Sequence, residues 1–168
     1  MSQDLTLFNK FTKQFTNMEL TGVRRIGRNF YLAEERLWNI KNGIDRDVYA
    51  IGTFLGEEKM GFSPSPALID FISKFPDAQS KKIFINKKAE WLFSCGRNVL
   101  SDSIVKNPGS ITEGLVLVQN ENDENLGYGQ FKKEDTLIIK HILDKGRYLR
   151  MDEKGRDKRQ GKNRTQHR

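Results

Sequence analysis

The sequence predicts an α+β protein in which a mixed α/β half precedes a small β-barrel or sandwich. Up to about residue 79, helix-like apolar stripes alternate with strand-like runs, whereas the later runs are short and closely spaced. Turn sequences rich in Asn, Pro, Asp and Gly divide the later runs, as in small barrels. We therefore predict an N-terminal α/β domain over residues 1–79, a β-rich domain over residues 80–153 and a basic, disordered tail over residues 154–168.

The N-terminal domain begins with a predicted helix and a predicted hairpin. Residues 4–15 place apolar side chains at spacings of three, four and seven, which is typical of an amphipathic helix. Residues 20–32 are richer in strand formers, and the sequence Gly-Arg-Asn at residues 27–29 predicts a turn between two short strands.

A second helix is predicted over residues 33–40. It would turn Leu37, Trp38 and Ile40 inward and end at residues 41–43, whose Lys-Asn-Gly sequence tolerates the left-handed conformation.

A strand, a helix and a linker complete the predicted first domain. Residues 48–55 are apolar enough for a buried strand. Ser65 as N-cap and Pro66 at the first helical position predict a helix that runs through Phe75. Residues 76–80 are the best candidate for a linker between the domains.

The second domain starts with a predicted strand at residues 83–85 and a predicted helix over Lys87–Ser94. Asn86 could cap that helix, and Gly96 would stop it.

Three further strand-like segments follow in this domain. The apolar run at residues 114–118 follows a turn, and the Leu-Gly-Tyr-Gly sequence at residues 126–129 suggests a bulge or a close backbone approach. We read residues 144–150 as the last strand-like segment, opening with a turn, in which alternation puts Arg147 on the face opposite Tyr148 and Arg150.

The charge distribution suggests a polyanionic partner. The chain carries a net charge of +7, of which its last nineteen residues contribute +5 from eight basic and three acidic side chains. A basic tail beside a nearly neutral body is typical of polyanion binding. The alternative is a tail that only aids solubility or is simply disordered.

The sequence lacks the common motifs of catalysis and metal binding. There is no HExxH, CxxC or GxSxG motif, no Walker A loop and no GxGxxG after a strand. Two histidines and one cysteine cannot form a Cys/His zinc cluster of the usual kind. We therefore expect a protein that is not an enzyme and that has no catalytic residues, no metal and no cofactor.

The sequence also indicates where the protein works. No apolar run approaches the roughly 20 residues that span a bilayer, and the N-terminus has no basic and apolar secretory pattern. The single Cys95 fits a reducing compartment. We expect a cytoplasmic protein without a membrane partner or a small-molecule substrate.

Basic side chains at two places could contact phosphates. Lys87 and Lys88 would occupy the first turn of a helix, where the macrodipole disfavours cations by roughly 0.3–1 kcal/mol each. Arg97 follows the helix end, where it could neutralise helix carbonyls or face a ligand. The second group lies within twelve residues near the C-terminus: Lys145, Arg147, Arg150, Lys154 and Arg156. Alternatively, all these charges only solvate the surface.

The order of elements in the second domain resembles the PUA domain, a small RNA-binding β-barrel. The whole chain resembles the ribosome-biogenesis family called nuclear import protein seven, in which an α/β domain precedes a PUA domain. The motifs that carry this resemblance lie in order along the chain, at residues 49–56, 91–100, 114–118 and 126–129. The resemblance thus implies an N-terminal mixed α/β domain followed by a PUA-type β-barrel.

The resemblance also implies a function. Members of that family are RNA-binding factors that act in the maturation of large-subunit ribosomal RNA, alongside other assembly proteins, and favour uridine-rich single strands. In PUA domains RNA lies between the early helix with its following loop and the last strand, here between Lys87 to Arg97 and Lys145 to Arg150. Arg150, Lys154 and Arg156 match the basic cluster of archaeal members; a eukaryotic member would be nuclear or nucleolar.

Two other functions stay open at the level of sequence. The first domain, rich in Phe, could instead dock a protein partner in an assembly complex, in which case an exposed apolar patch is expected on residues 1–79. The chain could also be an accessory RNA-binding subunit of an RNA-modifying enzyme, or itself such an enzyme if carboxylates cluster in a cleft.

Overall fold

The computed structural model describes residues 4–133 and 137–147. The α-helices in these ranges are α1 Thr6–Thr12, α2 Glu35–Asn42, α3 Pro66–Ser73 and α4 Lys87–Ser94, with 3-10 helices at Pro76–Lys81 and Ser101–Ser103. The strands are β1 Val23–Ile26, β2 Asn29–Leu32, β3 Thr53–Glu58, β4 Phe62–Pro64, β5 Lys82–Ile85, β6 Val99–Leu100, β7 Ile104–Lys106, β8 Gly114–Gln119, β9 Asn125–Lys133 and β10 Leu137–Asp144.

The first sheet is an antiparallel meander with the order β1-β2-β3-β4. The predicted hairpin is confirmed, since β1 and β2 pair from Val23 opposite Leu32 to Ile26 opposite Asn29. Gly27 turns the chain with φ at +58°, a conformation that glycine adopts without strain. The first predicted helix is confirmed as α1, which starts at Thr6.

The prediction for α2 is correct for Trp38 and wrong for its two apolar neighbours. Trp38 is buried against Tyr31 and Ala33, whereas Leu37 and Ile40 are 36% and 59% exposed. Residues two apart on a helix point in nearly opposite directions, so Trp38 and Ile40 cannot face the same sheet.

The remaining predictions for the first half are partly wrong at their boundaries. The helix ends in the right-handed conformation at Gly43, and β3 begins only at Thr53, so the strand expected from residue 48 is wrong in its first part. Gly52 has φ at +60°, and a Cβ there would lie 2.2 Å from the Leu32 carbonyl oxygen. The chain therefore bends sharply at Gly52 before it enters the sheet.

The helix α3 begins as predicted and ends sooner. The Ser65 hydroxyl accepts a hydrogen bond from the Leu68 N–H at 3.2 Å, and Pro66 occupies the first turn. The expected linker is instead a packed 3-10 helix in which Ala78 is buried. The Asp77 carboxylate accepts hydrogen bonds from the Thr16 hydroxyl at 2.6 Å and from the Asn17 N–H at 2.7 Å, which ties this helix to the N-terminal segment.

The second sheet is a nearly closed barrel with the order β6-β10-β9-β8-β5-β7. Neighbouring strands of this sheet are antiparallel, except that β5 and β8 are parallel to each other. The edge strands β6 and β7 are joined in sequence by the 3-10 helix Ser101–Ser103, so the chain itself closes the remaining gap. Ala89 and Phe93 of α4 pack into the interior with Val116 and Ile139. The predicted α+β class with a C-terminal PUA-type barrel is thus confirmed.

The prediction for the last strand is wrong in its position. β10 ends at Asp144, and Lys145 and Gly146 form a turn, so Arg147 follows the strand instead of lying within it. The apolar run before Asp144 forms the strand because its side chains fill the barrel. Tyr148 and Arg150, which were expected to alternate with Arg147, lie outside the described residues.

The close backbone approach predicted at residues 126–129 is confirmed. A Cβ on Gly127 would lie 2.0 Å from the Leu143 carbonyl oxygen, and one on Gly129 would lie 2.5 Å from the Lys140 carbonyl oxygen. β9 can therefore pass against β10 only because both positions are glycine.

One of the hydrophobic clusters is lined by both sheets. Phe11 of α1 and Phe15, three residues after its end, contact the Tyr128 ring of β9 with centroid separations of 5.6 and 5.9 Å. Leu117 of β8 and Leu143 of β10 belong to the same buried cluster. The division into domains at residue 79 stays a prediction. Each sheet is formed by its own stretch of the chain, but side chains from both sheets pack in the same cluster.

Candidate nucleic-acid interface

Helix α4 presents a basic face to solvent. The Asn86 side chain accepts a hydrogen bond from the Ala89 N–H at 2.9 Å, so the predicted N-cap is confirmed. This cap sets the helical phase in which Ala89 is buried and Lys87 and Lys88 are exposed. Neither lysine makes an ion pair with any residue that the structure describes. Their charges are therefore available to an anionic ligand.

A third exposed basic residue, Arg97, follows the other end of α4. Gly96, with φ at +81°, ends the helix; its N–H donates to the Phe93 carbonyl at 2.8 Å, and the Arg97 N–H donates to the Leu92 carbonyl at 3.0 Å. These two bonds form a Schellman motif, which satisfies the helix carbonyls with backbone groups. The Arg97 side chain is exposed and makes no ion pair within the described ranges.

The helix and the last strand of the barrel are held side by side. The rings of Phe93 on α4 and His141 on β10 meet edge to face with centroids 5.0 Å apart. The Asn98 side chain accepts a hydrogen bond from the His141 N–H at 2.9 Å. His141 Nε2 lies 2.6 Å from Oδ2 of Asp144, whose side chain is fully buried. The structure thus places α4, its following loop and β10 next to one another, where the resemblance to PUA domains puts the RNA.

Lys145 differs from Lys87, Lys88 and Arg97 because it already has an ion-pair partner within the fold. Its Nζ donates a hydrogen bond to Oδ1 of Asp70 on α3 at 2.7 Å, and Lys74 pairs with the same carboxylate at 2.9 Å. Partial burial raises the pKa of Asp70, but the hydrogen bonds from Lys145 and Lys74 outweigh burial, so this pKa lies below its ordinary value. Lys145 is therefore a contact between the halves of the chain.

Arg147 follows the turn at Lys145 and Gly146. Its side chain is exposed and lies close enough to Tyr128 for its charge to act on the tyrosine hydroxyl. Burial raises the pKa of the Tyr128 hydroxyl to about 12, while the positive charge of Arg147 acts in the opposite direction. Arg147 also lines a small cleft of about 150 Å³ beside Glu57 and Ser63 of the first sheet.

The residues predicted from sequence thus form two groups. Lys87, Lys88 and Arg97 share the surface of α4 and its loop, whereas Lys145 and Arg147 lie beyond the end of β10 and face the N-terminal half. The other predicted contacts lie outside the described residues: Arg150, Lys154 and Arg156, with the basic tail over residues 154–168. The role of each residue in RNA binding stays a prediction.

Trp91 is absent from the predicted site although it lies on the same face. The sequence carried a signal for it, because Trp91 is four residues after Lys87 and three after Lys88, a spacing that makes helical neighbours. The indole is 67% exposed, while Ala89 and Phe93 on the opposite side of α4 are buried.

A further cleft is polar and electrically balanced. It measures about 700 Å³ and lies between α3 and the turn that joins β8 to β9. Its buried Lys82 pairs with Asp123 at 2.7 Å, and its other two lysines share Asp70. With Glu124, three carboxylates face three lysines in this lining, so the cleft offers no surplus positive charge to a phosphate.

The residues that the structure describes include neither a metal-binding cluster nor a membrane-spanning helix. No group of three or more His, Cys, Asp or Glu side chains in residues 4–133 and 137–147 is arranged to hold a metal ion. Within the same ranges, no helix has the length and hydropathy needed to cross a membrane.

Comparison with known proteins identifies the β-rich half. Residues 81–153 match the family model described as the UPF0113 PUA domain. A UPF0113 protein of the archaeon Archaeoglobus fulgidus is 27% identical over 78 residues, which cover 41% of this chain and 45% of that protein. The chain thus matches less than half the length of this relative. A PUA domain, a class of domain that generally binds RNA, is present.

Proposed function

We propose that this protein is a non-enzymatic, cytoplasmic RNA-binding factor of ribosome assembly. Its PUA domain would hold single-stranded, uridine-rich segments of large-subunit ribosomal RNA while other assembly proteins act on the particle. The observation that carries the proposal is the exposed set Lys87, Lys88 and Arg97, which lies on a PUA domain and has no carboxylate partner within the described residues. The similarity to an archaeal protein favours an archaeal-type factor.

The physical basis of the proposal is the difference between free and neutralised cations. Phosphate binding releases condensed counterions, and this gain requires a protein charge that is not already compensated. Lys87, Lys88 and Arg97 meet this condition among the described residues, whereas Lys145 is held by Asp70. We therefore assign the main phosphate contacts to α4 and its loop, and a contact role between the halves to Lys145.

A salt titration of RNA binding tests the proposal. The full chain should bind oligouridine more tightly than a mixed-sequence strand, and the affinity should fall as salt rises. The triple substitution Lys87→Glu, Lys88→Glu and Arg97→Glu should reduce the log–log salt slope by about 2, because each lost phosphate contact on a single strand removes about 0.7.

A matched control separates the site from net charge. Lys10, Lys13 and Arg28 are also exposed basic residues, and they lie in the first half of the chain. Their triple substitution by Glu changes the net charge equally and should leave most of the affinity. Equal losses of RNA affinity in the two triple variants would mean that binding depends on the net charge of the protein and not on a specific site. If the wild type binds no RNA, the proposed function is refuted.

Apolar side chains exposed on the surface of the first half favour a second candidate function, namely docking of an assembly protein. Ile40 and Tyr49 are 59% and 83% exposed, and Leu37 and Ile44 are exposed nearby in sequence. The double variant Leu37→Asp, Ile40→Asp should then lose protein partners in affinity purification from source cells while it still binds oligouridine. Unchanged partners would exclude docking through this surface.

A further inference from the structure

The two tryptophans of this chain lie in opposite environments. Trp38 is 2% exposed, and its Nε1–H donates to the Gly22 carbonyl oxygen at 3.3 Å. Trp91 is 67% exposed. Its ring makes no hydrogen bond, ring contact or cation–π contact with the residues that the structure describes. Trp91 therefore contributes little to the packing of the barrel.

Helix geometry places the exposed indole between two lysines. At 100° per residue, Trp91 lies about 40° around the helix from Lys87 and about 60° from Lys88. Ala89, which packs into the barrel, lies about 160° away from Trp91 on the same scale. The outer face of α4 thus presents an aromatic plane with a cation on each side.

Neither the exposed indole nor the two lysines are favourable for the isolated protein. An indole in water leaves a large apolar surface unburied, and lysines in the first helical turn oppose the macrodipole. Single exposed apolar residues are common on protein surfaces, so the indole alone would carry no argument. The combination is distinctive, because aromatic planes beside cations are the elements with which proteins hold single-stranded nucleic acids.

We propose that Trp91 is a stacking platform for an unpaired base of single-stranded RNA, while Lys87 and Lys88 hold the phosphates on either side of that base. This inference rests on the proposed function and adds a contact of a different kind to it. Stacking uses the face of the base and is tolerant of sequence. Trp91 therefore strengthens binding to any unpaired base, and the preference for uridine comes from other contacts.

Affinity measurements on the full chain test the platform. Trp91→Ala should weaken binding to oligouridine and to oligoadenosine alike, by about 10- to 100-fold, the range typical for the loss of one stacked base. Trp91→Phe should recover part of the loss because a smaller ring still stacks. The matched control is Tyr49→Ala, which removes another exposed aromatic ring and should leave the affinity unchanged.

Two readouts distinguish stacking from a general effect on the helix. Oligonucleotides with abasic positions should bind the wild type more weakly than intact ones, and Trp91→Ala should lose most of this discrimination. Oligouridine should also quench the tryptophan emission of the wild type but not that of Trp91→Phe, in which only the buried Trp38 emits.

The outcomes separate this inference from the proposed function. If the wild type binds RNA, while Trp91→Ala binds equally well and the emission is not quenched, the platform is refuted and the proposed function stands. In that case the indole face is left for a protein partner. If the wild type binds no RNA at any salt concentration, the proposed function fails and the platform fails with it.

Discussion

Single residues decide how the charge of this molecule is used. Lys87 and Lys145 were equivalent as basic candidates in the sequence. In the structure Lys87 has no ion-pair partner among the described residues, whereas Lys145 lies 2.7 Å from a carboxylate of α3. A charge that already has a partner gains less from a phosphate, because its ion pair must first be broken. We therefore expect Lys87 to contribute more to phosphate binding than Lys145, because Lys145 already pairs with Asp70.

The first prediction concerns Asp70, whose pKa is lowered from 3.8 by its two lysines. A carboxylate with a lowered pKa in the folded state stabilises the protein above its unfolded pKa and loses this effect as pH falls through the folded value. Wild-type stability should therefore decline below about pH 3.8 partly through this group. Asp70→Asn should lose stability at pH 5 and show a smaller further decline in acid.

Urea denaturation at pH 5 and below pH 3 measures this difference. Asp102→Asn is a suitable control, because Asp102 lies in the 3-10 helix between β6 and β7 and makes no ion pair within the described ranges. Identical pH profiles for the wild type and Asp70→Asn would show that the Lys145 contact adds nothing to folding.

Local sequence rules account for most of the elements. Asn86 and Ser65 cap the helices that they were expected to cap, and Gly96 ends α4 in the left-handed conformation. The same rules fail where the neighbouring element matters. Ile40 is apolar but exposed because it points away from the side of α2 on which Trp38 packs against Tyr31 and Ala33.

The second prediction belongs to the β9–β10 pair. Gly127→Ala should destabilise the barrel by about 1–3 kcal/mol or more, because φ at +150° is strained for alanine and the added Cβ meets the Leu143 carbonyl oxygen. Gly61→Ala is the control, since a Cβ there has no atom within 4 Å and φ is not in the positive range.

Chemical denaturation of both glycine variants gives the comparison directly. The Gly61 variant should stay within about 0.5 kcal/mol of the wild type, as is usual for surface substitutions. A Gly127 variant as stable as the Gly61 variant would mean that β9 and β10 can separate without loss.

The whole molecule is organised around a core that both sheets line. Phe8, Phe11 and Phe15 come from the first seventeen residues, yet they share a buried cluster with Leu117 and Tyr128 of the barrel. Contacts so distant in sequence make each half depend on the other. The two sheets are therefore expected to unfold together, although they occupy separate stretches of the chain.

The third prediction tests this shared core. Phe11→Ala should cost about 3–5 kcal/mol, the usual range for a buried phenylalanine, and should shift the unfolding of both halves equally. In a Trp91→Phe background, where Trp38 in the first half is the only tryptophan, tryptophan emission and circular dichroism should report the same transition midpoint. Leu37→Ala, at an exposed position on α2, should change stability by less than about 0.5 kcal/mol.

Separate transitions in the two signals would contradict a shared core. They would instead indicate two domains that fold independently, divided near residue 79 as the sequence suggested.

The sequence by itself determined the four α-helices and the β1–β2 hairpin, the caps of α3 and α4, the α+β class and the surplus of positive charge. These properties depend on residues within a few positions of one another, where backbone preferences act. It also indicated α4 and Arg97 as a basic surface. The last strand was predicted at residues 144–150, in the basic segment that begins at Asp144, whereas the apolar run before Asp144 forms β10.

Only the tertiary structure decided which charges are neutralised, that Trp91 lies outside the core and that the two sheets share their packing. The partners involved are far apart in sequence; Lys145 and Asp70 are separated by 75 positions. Local propensity carries no information about such pairs, because they form only when the chain folds and buries apolar surface from both halves together.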